Sequence, residues 1–144
     1  AASAFAYAGQ VCISAQRVLV QSSIAEEFTE KFVAKAKALR AGDPLDEATE
    51  LSNMIDEQAA RRAEEWVNEA VAAGARLLCG GRREGSLLDA TVLTEVQPEM
   101  RVCSDISRSV MPRASRATRS CSPKDAAITN PRPPFGRWML GQKR

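Results

Sequence analysis

Cys12 is the side chain of this sequence best suited to nucleophilic chemistry. It follows Gly9 and Gln10 in a run of small residues that predicts a turn. A thiolate is the strongest side-chain nucleophile near neutral pH, and backbone N–H groups in such a turn can lower the pKa of the thiol and hold a developing oxyanion. A lone cysteine in an apolar stretch is more often buried and inert, so spacing alone leaves both interpretations open.

The absence of histidine limits the chemistry further. None occurs in the 144 residues, which excludes Ser-His-Asp and Cys-His catalysis, histidine-ligated zinc and a histidine pH switch. The four cysteines (Cys12, Cys79, Cys103 and Cys121) have neither CxxC pairing nor metal-ligand spacing. Cys79 and Cys103 are predicted to be buried or incidental thiols. We expect no metal site, and a reducing, cytoplasmic setting is favoured over a secreted one.

Three other patterns have simpler structural interpretations. Gly80-Gly81 predicts a tight turn at a strand end, because a phosphate-binding loop needs further glycines or a following Lys-Ser/Thr. Glu64, Glu65 and Glu69 predict the solvated face of an amphipathic helix. Trp66 on the same helix is predicted to lie in the core.

The segments on either side of Cys12 predict a helix before it and a strand after it. Residues 1–8 are small and apolar, as at the end of a buried helix, and Gly9 closes it with a residue able to take positive φ. Arg17–Gln21 predicts a short strand that is buried on both faces.

Two amphipathic helices follow. Ser23 and Glu26 have the spacing of a capping box, and they open a helix whose apolar positions are Ile24, Phe28, Phe32 and Leu39. Asp56 is the N-cap candidate of a second helix that runs to about Ala73 and is closed by Gly74. Its apolar stripe consists of Ala59, Ala63, Trp66, Ala70 and Ala73.

Strands return after the second helix. Arg76–Cys79 predicts one strand, and residues 87–96 predict one or two short strands before Pro98. The roughly even alternation of helices and strands favours an α/β or α+β layer architecture over a helical bundle or a β-sandwich.

Charge divides the chain into two parts. Residues 1–105 carry 11 basic and 17 acidic side chains, a net charge of −6, whereas residues 106–144 carry nine basic and one acidic, a net charge of +8. Residues 106–144 also contain five of the seven prolines and lack apolar periodicity. We predict a basic Pro/Arg-rich tail that is disordered or frameshifted, with nonspecific charge favoured over a specific nucleic-acid site.

Residues 5–17, FAYAGQVCISAQR, resemble the active-site segment of the NAD(P)-dependent aldehyde dehydrogenase superfamily. The matching core is Gly-Gln-x-Cys, with an aromatic residue upstream and Arg17 five residues after Cys12. Residues 18–105 resemble the segments that follow in that family. The resemblance implies that residues 1–105 are a partial α/β catalytic domain, with helices packed on a mainly parallel sheet, whereas residues 106–144 are not family-like.

The resemblance also implies a mechanism and a set of partners. Cys12 would be the nucleophile that oxidises a small-molecule aldehyde to a carboxylic acid through a thiohemiacetal and a thioester. NAD or NADP would accept the hydride and a glutamate would activate water, but the family's cofactor-binding domain, its general base and its oxyanion asparagine are absent from this sequence. The parent enzyme would be a homo-oligomer, with neither a membrane nor a specific nucleic acid as partner.

Two alternatives remain open at this stage. The fragment alone is expected to be inactive, so the chain could instead be a non-catalytic remnant or an interaction module whose basic tail binds anions. An unrelated cysteine-nucleophile enzyme, such as an acyltransferase, is disfavoured by the lack of histidine. The first residues begin without Met, in what reads as the middle of a helix, which led us to expect an incomplete gene product.

Overall fold

The computed structural model describes residues 1–103, so the predicted basic tail at 106–144 lies outside the described residues. Within residues 1–103, α-helices and short strands follow one another. They are α1 (Ala2–Phe5), α2 (Ala25–Lys37), α3 (Glu57–Ala72), β1 (Arg76–Cys79), β2 (Arg83–Glu84), β3 (Leu87–Leu88) and β4 (Val92–Thr94). Two 3-10 turns, Ala6–Gly9 and Ser22–Ile24, precede the Cys12 segment and α2.

The longest helix within residues 1–103, α3, forms as the sequence predicts. The Asp56 carboxylate accepts a hydrogen bond of 2.6 Å from the N–H of Ala59, which satisfies one of the unpaired donors of the first turn. At the other end Gly74 has φ 104°, a conformation that favours glycine. The apolar stripe is buried at Ala59, Ala63, Trp66 and Ala70, whereas Ala73 is exposed beyond the last helical turn.

The start of α2 differs from the prediction. Ser23 does not cap it; the chain enters through the 3-10 turn Ser22–Ile24, and Ile24 occupies the N-cap position without a side-chain hydrogen bond. Ile24 is also half exposed, because this tighter turn rotates it away from the apolar face. Phe28 and Phe32 lie on that face, with stacked rings whose centroids are 5.9 Å apart.

The strands pair in antiparallel fashion, so the expectation of a mainly parallel sheet is wrong for residues 1–103. β1 pairs with β4, and β2 pairs with β3. Parallel neighbours need a crossover connection of a dozen or more residues, usually a helix. Here β1 and β4 are joined only through the β2–β3 hairpin, which returns the chain in the opposite direction.

The predicted strand at Arg17–Gln21 does not form within the described residues. Val20 is buried there, but the segment has no hydrogen-bonded neighbouring strand among residues 1–103. An extended segment becomes a strand only when its N–H and C=O groups pair with a neighbour.

The apolar core holds the helices against the two strand pairs. One cluster joins α1 and α2 to the first turns of α3 and to Leu88 and Val92. A second packs the later turns of α3 against Leu93, Val96 and Val102. The helices and strands that pack around this core confirm the predicted α/β class. In the described part of the chain, no helix combines the length and the apolar character that a membrane crossing needs.

Candidate functional site

Cys12 lies in an exposed tight turn, Val11–Ser14, which we call the Cys12 turn. The turn is closed by a hydrogen bond of 3.0 Å from the N–H of Ser14 to the carbonyl of Val11. The Cys12 side chain is exposed and carries a free thiol. Because it is not sealed in the core, a solvent-borne carbonyl compound can reach the sulfur.

Backbone donors lie beside the thiol. Among the hydrogen bonds within residues 1–103, none uses the amide N–H of Cys12 or Ile13 as a donor. Amide groups that are not committed to carbonyl partners are the kind of donor that stabilises a developing oxyanion. The Cys12 turn therefore places a nucleophile next to donors of the right type.

The backbone before the turn is left-handed over three residues. Tyr7, Ala8 and Gly9 have φ values of 51°, 52° and 70°. The glycine was predicted to take positive φ, and this is confirmed; the two preceding residues were not predicted to join it. Non-glycine residues in this region are strained, and they persist where surrounding contacts fix them. Ala8 is held in the core with only 5% of its surface exposed.

Polar contacts hold the Cys12 turn on two sides. On one side, the Ser14 hydroxyl donates to the Ala4 carbonyl at 3.0 Å, which ties the turn to α1. On the other side, Gln10 Oε1 accepts from the N–H of Ile55 at 3.0 Å. Sequence reasoning quoted Gln10 as part of the motif but missed its partner, since no local pattern links residues 45 positions apart.

The Arg17 side chain contacts Cys103, the last residue that the structure describes. Its Nη1 lies 3.4 Å from the sulfur of Cys103, which is buried. The structure thus brings Arg17 of the motif to the segment after β4. This contact joins the chain that leaves the Cys12 turn to the second core cluster.

Cys79 has the properties of a structural thiol. It is 9% exposed at the end of β1, and burial is the largest cause that raises the pKa of its thiol, against a smaller lowering effect of Lys37. A protonated, buried thiol is a poor nucleophile. The prediction that Cys79 and Cys103 are buried is confirmed.

The acidic residues of α3 form ion pairs with the segments packed on it. Glu64 Oε2 lies 2.6 Å from Nε of Arg83, and this hydrogen bond is the largest cause that raises the pKa of the guanidinium. Glu69 pairs with Arg101 at 2.7 Å. Glu65 is exposed as predicted, so the face is solvated in part and paired in part. Trp66, predicted in the core, is 2% exposed.

Gly80 and Gly81 do not form a nucleotide cradle. Both have positive φ, and a Cβ on Gly80 would lie 2.3 Å from the Ala90 carbonyl oxygen, so the glycine admits the neighbouring backbone. The N–H of Gly81 donates to the Thr91 hydroxyl at 3.0 Å. The predicted strand-end turn is confirmed. Residues 1–103 also contain no cluster of metal-ligating side chains.

Comparison with known proteins identifies the family. The model of the aldehyde dehydrogenase family matches residues 1–105. The chain belongs to the aldehyde dehydrogenase family. An aldehyde-dehydrogenase-like protein of Sinorhizobium fredii is 57% identical over 90 residues, which are 62% of this chain and 18% of that protein.

Solved structures of aldehyde dehydrogenases share the fold. Aldehyde dehydrogenase 21 from Physcomitrella patens, in complex with the reaction product succinate, matches with a TM-score of 0.69 and 42% identity, over 71% of this chain and 21% of that one. Glyceraldehyde-3-phosphate dehydrogenase GapN from Methanocaldococcus jannaschii, complexed with NADP, matches with a TM-score of 0.63 and 45% identity, over 65% and 20%. Other aldehyde dehydrogenases similar to this chain hold NAD+.

The chain spans about a fifth of the length of these relatives. The family consists of oxidoreductases, and its general reaction is the NAD(P)-dependent oxidation of aldehydes. The family match includes residues 5–17, the segment that contains the exposed Cys12 turn.

Proposed function

We propose that Cys12 is the nucleophile of an aldehyde dehydrogenase, and that residues 1–105 form part of its catalytic domain. The observation that carries the proposal is the geometry of the Cys12 turn. Its thiol is exposed, and the amides of Cys12 and Ile13 donate to no carbonyl within residues 1–103. Family membership supports the same assignment.

The step assigned to Cys12 is addition to a carbonyl group. The thiol first loses its proton to solvent, and the thiolate sulfur then forms a bond with the carbonyl carbon. The π-electron pair of the C=O bond moves to oxygen, which gives a tetrahedral thiohemiacetal anion. The N–H of Cys12, which donates to no carbonyl within residues 1–103, is the backbone donor that we assign to that oxyanion. Such a donor contributes most when it is held in place beforehand.

The partners of the complete reaction are proposals for the whole protein. A small-molecule aldehyde would be the substrate, NAD or NADP would accept the hydride, and the parent enzyme would be a homo-oligomer in the cytoplasm. For the described part of the chain, the proposal ends at addition to the carbonyl group.

Acyl transfer from p-nitrophenyl acetate tests the proposal without any cofactor. The thiolate attacks the ester carbonyl, p-nitrophenolate leaves, and an acetyl thioester remains on sulfur. We expect acetyl to appear on Cys12 first, as located by mass spectrometry of peptides. Cys12→Ser should abolish this early acetylation, and the matched variant Cys79→Ser should retain it.

A different distribution of acetyl would contradict the assignment. If the native chain acetylates Cys12 no faster than the chain unfolded in urea does, the fold contributes no activation. The thiol is then merely exposed, and the proposed nucleophile is rejected.

A further inference from the structure

We propose that Gln10 is a positioning residue that fixes the Cys12 turn against the start of α3. The proposal rests on the assignment of Cys12 as nucleophile. Gln10 Oε1 accepts a hydrogen bond of 3.0 Å from the N–H of Ile55. Ile55 directly precedes Asp56, the N-cap of α3. The Gln10 side chain therefore links the Cys12 turn to the longest helix of the described chain.

The Cys12 turn depends on such contacts because it has little apolar anchoring. Cys12 and Ile13 are both exposed, the latter by 83%, and Val11 is only half-buried. Burial therefore cannot fix the position of the sulfur. Directional hydrogen bonds can, since they restrict both distance and orientation.

The other contacts of the turn all lead to one element. The Ser14 hydroxyl donates to the Ala4 carbonyl at 3.0 Å, and the N–H of Ala15 donates to the Ser3 carbonyl at 3.1 Å. Both partners belong to α1, a single helical turn. These contacts tie the Cys12 turn to α1, and the hydrogen bond from Ile55 to Gln10 adds a second, separate attachment at the start of α3.

Gln10 also restrains the left-handed backbone that leads into the turn. Its N–H donates to the Tyr7 carbonyl at 3.0 Å, and its Nε2 approaches the same oxygen at 3.5 Å, a weak contact. Tyr7 and Ala8 carry the unfavourable φ values there. A side chain that bonds both to this strained segment and to Ile55 is placed to transmit the position of α3 to Cys12.

The test replaces the side chain while keeping its length. Gln10→Met removes the acceptor oxygen, and Gln10→Glu keeps an acceptor for the Ile55 N–H. The readout is the rate of acetyl transfer from p-nitrophenyl acetate to Cys12 as a function of pH in the complete 144-residue chain. At the high-pH plateau the thiolate is fully formed, so the plateau reports position rather than protonation.

We expect Gln10→Met to lower the plateau about three- to tenfold, the effect of losing one hydrogen bond. Gln10→Glu should retain most of the plateau, because its carboxylate keeps an acceptor for the Ile55 N–H. Gln21→Met is the matched control, since Gln21 is exposed and outside the turn, and it should leave the profile unchanged.

A variant on the partner side guards against misfolding of Gln10→Met. Ile55→Pro removes the N–H donor, and it should lower the plateau as much as Gln10→Met does, with no further fall in the double variant. Slow alkylation of Cys79 reports that the core is intact in each variant. An unchanged plateau in either single variant with an intact core overturns the role of Gln10.

The two proposals fail in different ways. If the unaltered chain shows no preferential acetyl transfer to Cys12, the nucleophile assignment itself fails. If the unaltered chain transfers acetyl to Cys12 and the Gln10→Met plateau equals the Gln21→Met plateau, only the positioning role is rejected.

Discussion

Cys12 and Cys79 have the same side chain in opposite surroundings. Cys12 is exposed in a turn that polar contacts hold from two sides, and strained backbone precedes it. Cys79 lies at a strand end against the first core cluster, where burial raises the pKa of its thiol. The contrast teaches that hydrogen bonds fix the position of one thiol and apolar packing that of the other.

The largest predicted effect is a difference in stability between a substitution in the core and one in the Cys12 turn. Leu93 is fully buried, and Leu93→Ala should lower the free energy of unfolding by about 2–5 kcal/mol through lost burial and the cavity left behind. Ile13→Ala, in the Cys12 turn, removes an 83% exposed side chain and should change it by less than about 0.5 kcal/mol. Urea denaturation of both variants measures the difference. Equal losses would mean that the turn is part of the core.

The N-cap of α3 joins the two regions, and its removal should lower the free energy of unfolding by an intermediate amount. Asp56→Ala should cost about 1 kcal/mol, because the N–H of Ala59 loses its acceptor. Asp56→Asn keeps a side-chain oxygen and should retain most of the stability. Thermal unfolding followed by circular dichroism measures both, and an equal loss in the two variants would rule out capping as the cause.

Burial of the Cys79 thiol should make the free energy of unfolding fall as the pH rises. The folded chain holds the Cys79 proton to higher pH than the unfolded chain, in which a thiol titrates near its ordinary pKa of about 8.5. The unfolded state therefore binds fewer protons above that pH, and stability falls as pH rises. Urea titrations from pH 7 upward should show a shallower fall in Cys79→Ala, and an identical slope would contradict burial of the thiol.

The smallest effect should come from the strained backbone. Asparagine tolerates the left-handed region better than tyrosine, and Tyr7 is 80% exposed, so little burial is lost. Tyr7→Asn should raise the free energy of unfolding by a few tenths of a kcal/mol, up to about 1 kcal/mol. Tyr7→Phe should leave it unchanged. A loss of stability in Tyr7→Asn would show that the ring makes contacts that outweigh the strain.

Local patterns predicted the parts of the fold that local physics controls. Asp56 and Gly74 mark the ends of α3 because capping depends on a few neighbouring residues. The β2–β3 hairpin was missed, although Gly85-Ser86 between short strands is a recognised two-residue turn signal, and Gly85 takes φ 58°. The antiparallel direction of β1 and β4 depends on a long-range pairing that no local window contains.

The sequence suggested the candidate site but not its geometry. The residues around Cys12 indicated the proposed nucleophile through their resemblance to a family. The contact from Ile55 to Gln10 and that from Arg17 to Cys103 join segments that only the folded chain brings together. The left-handed Tyr7 and Ala8 were missed because neither residue type favours that conformation.

The rate of iodoacetamide alkylation at neutral pH, in the native chain and in the same chain unfolded in urea, tests the central claim most directly. Glutathione in the same solutions corrects for the effect of urea on the reagent. The account predicts that Cys12 reacts faster in the native chain than in the unfolded chain, whereas Cys79 reacts more slowly. A Cys12 rate that folding leaves equal or lowers would contradict an activated nucleophile in the Cys12 turn.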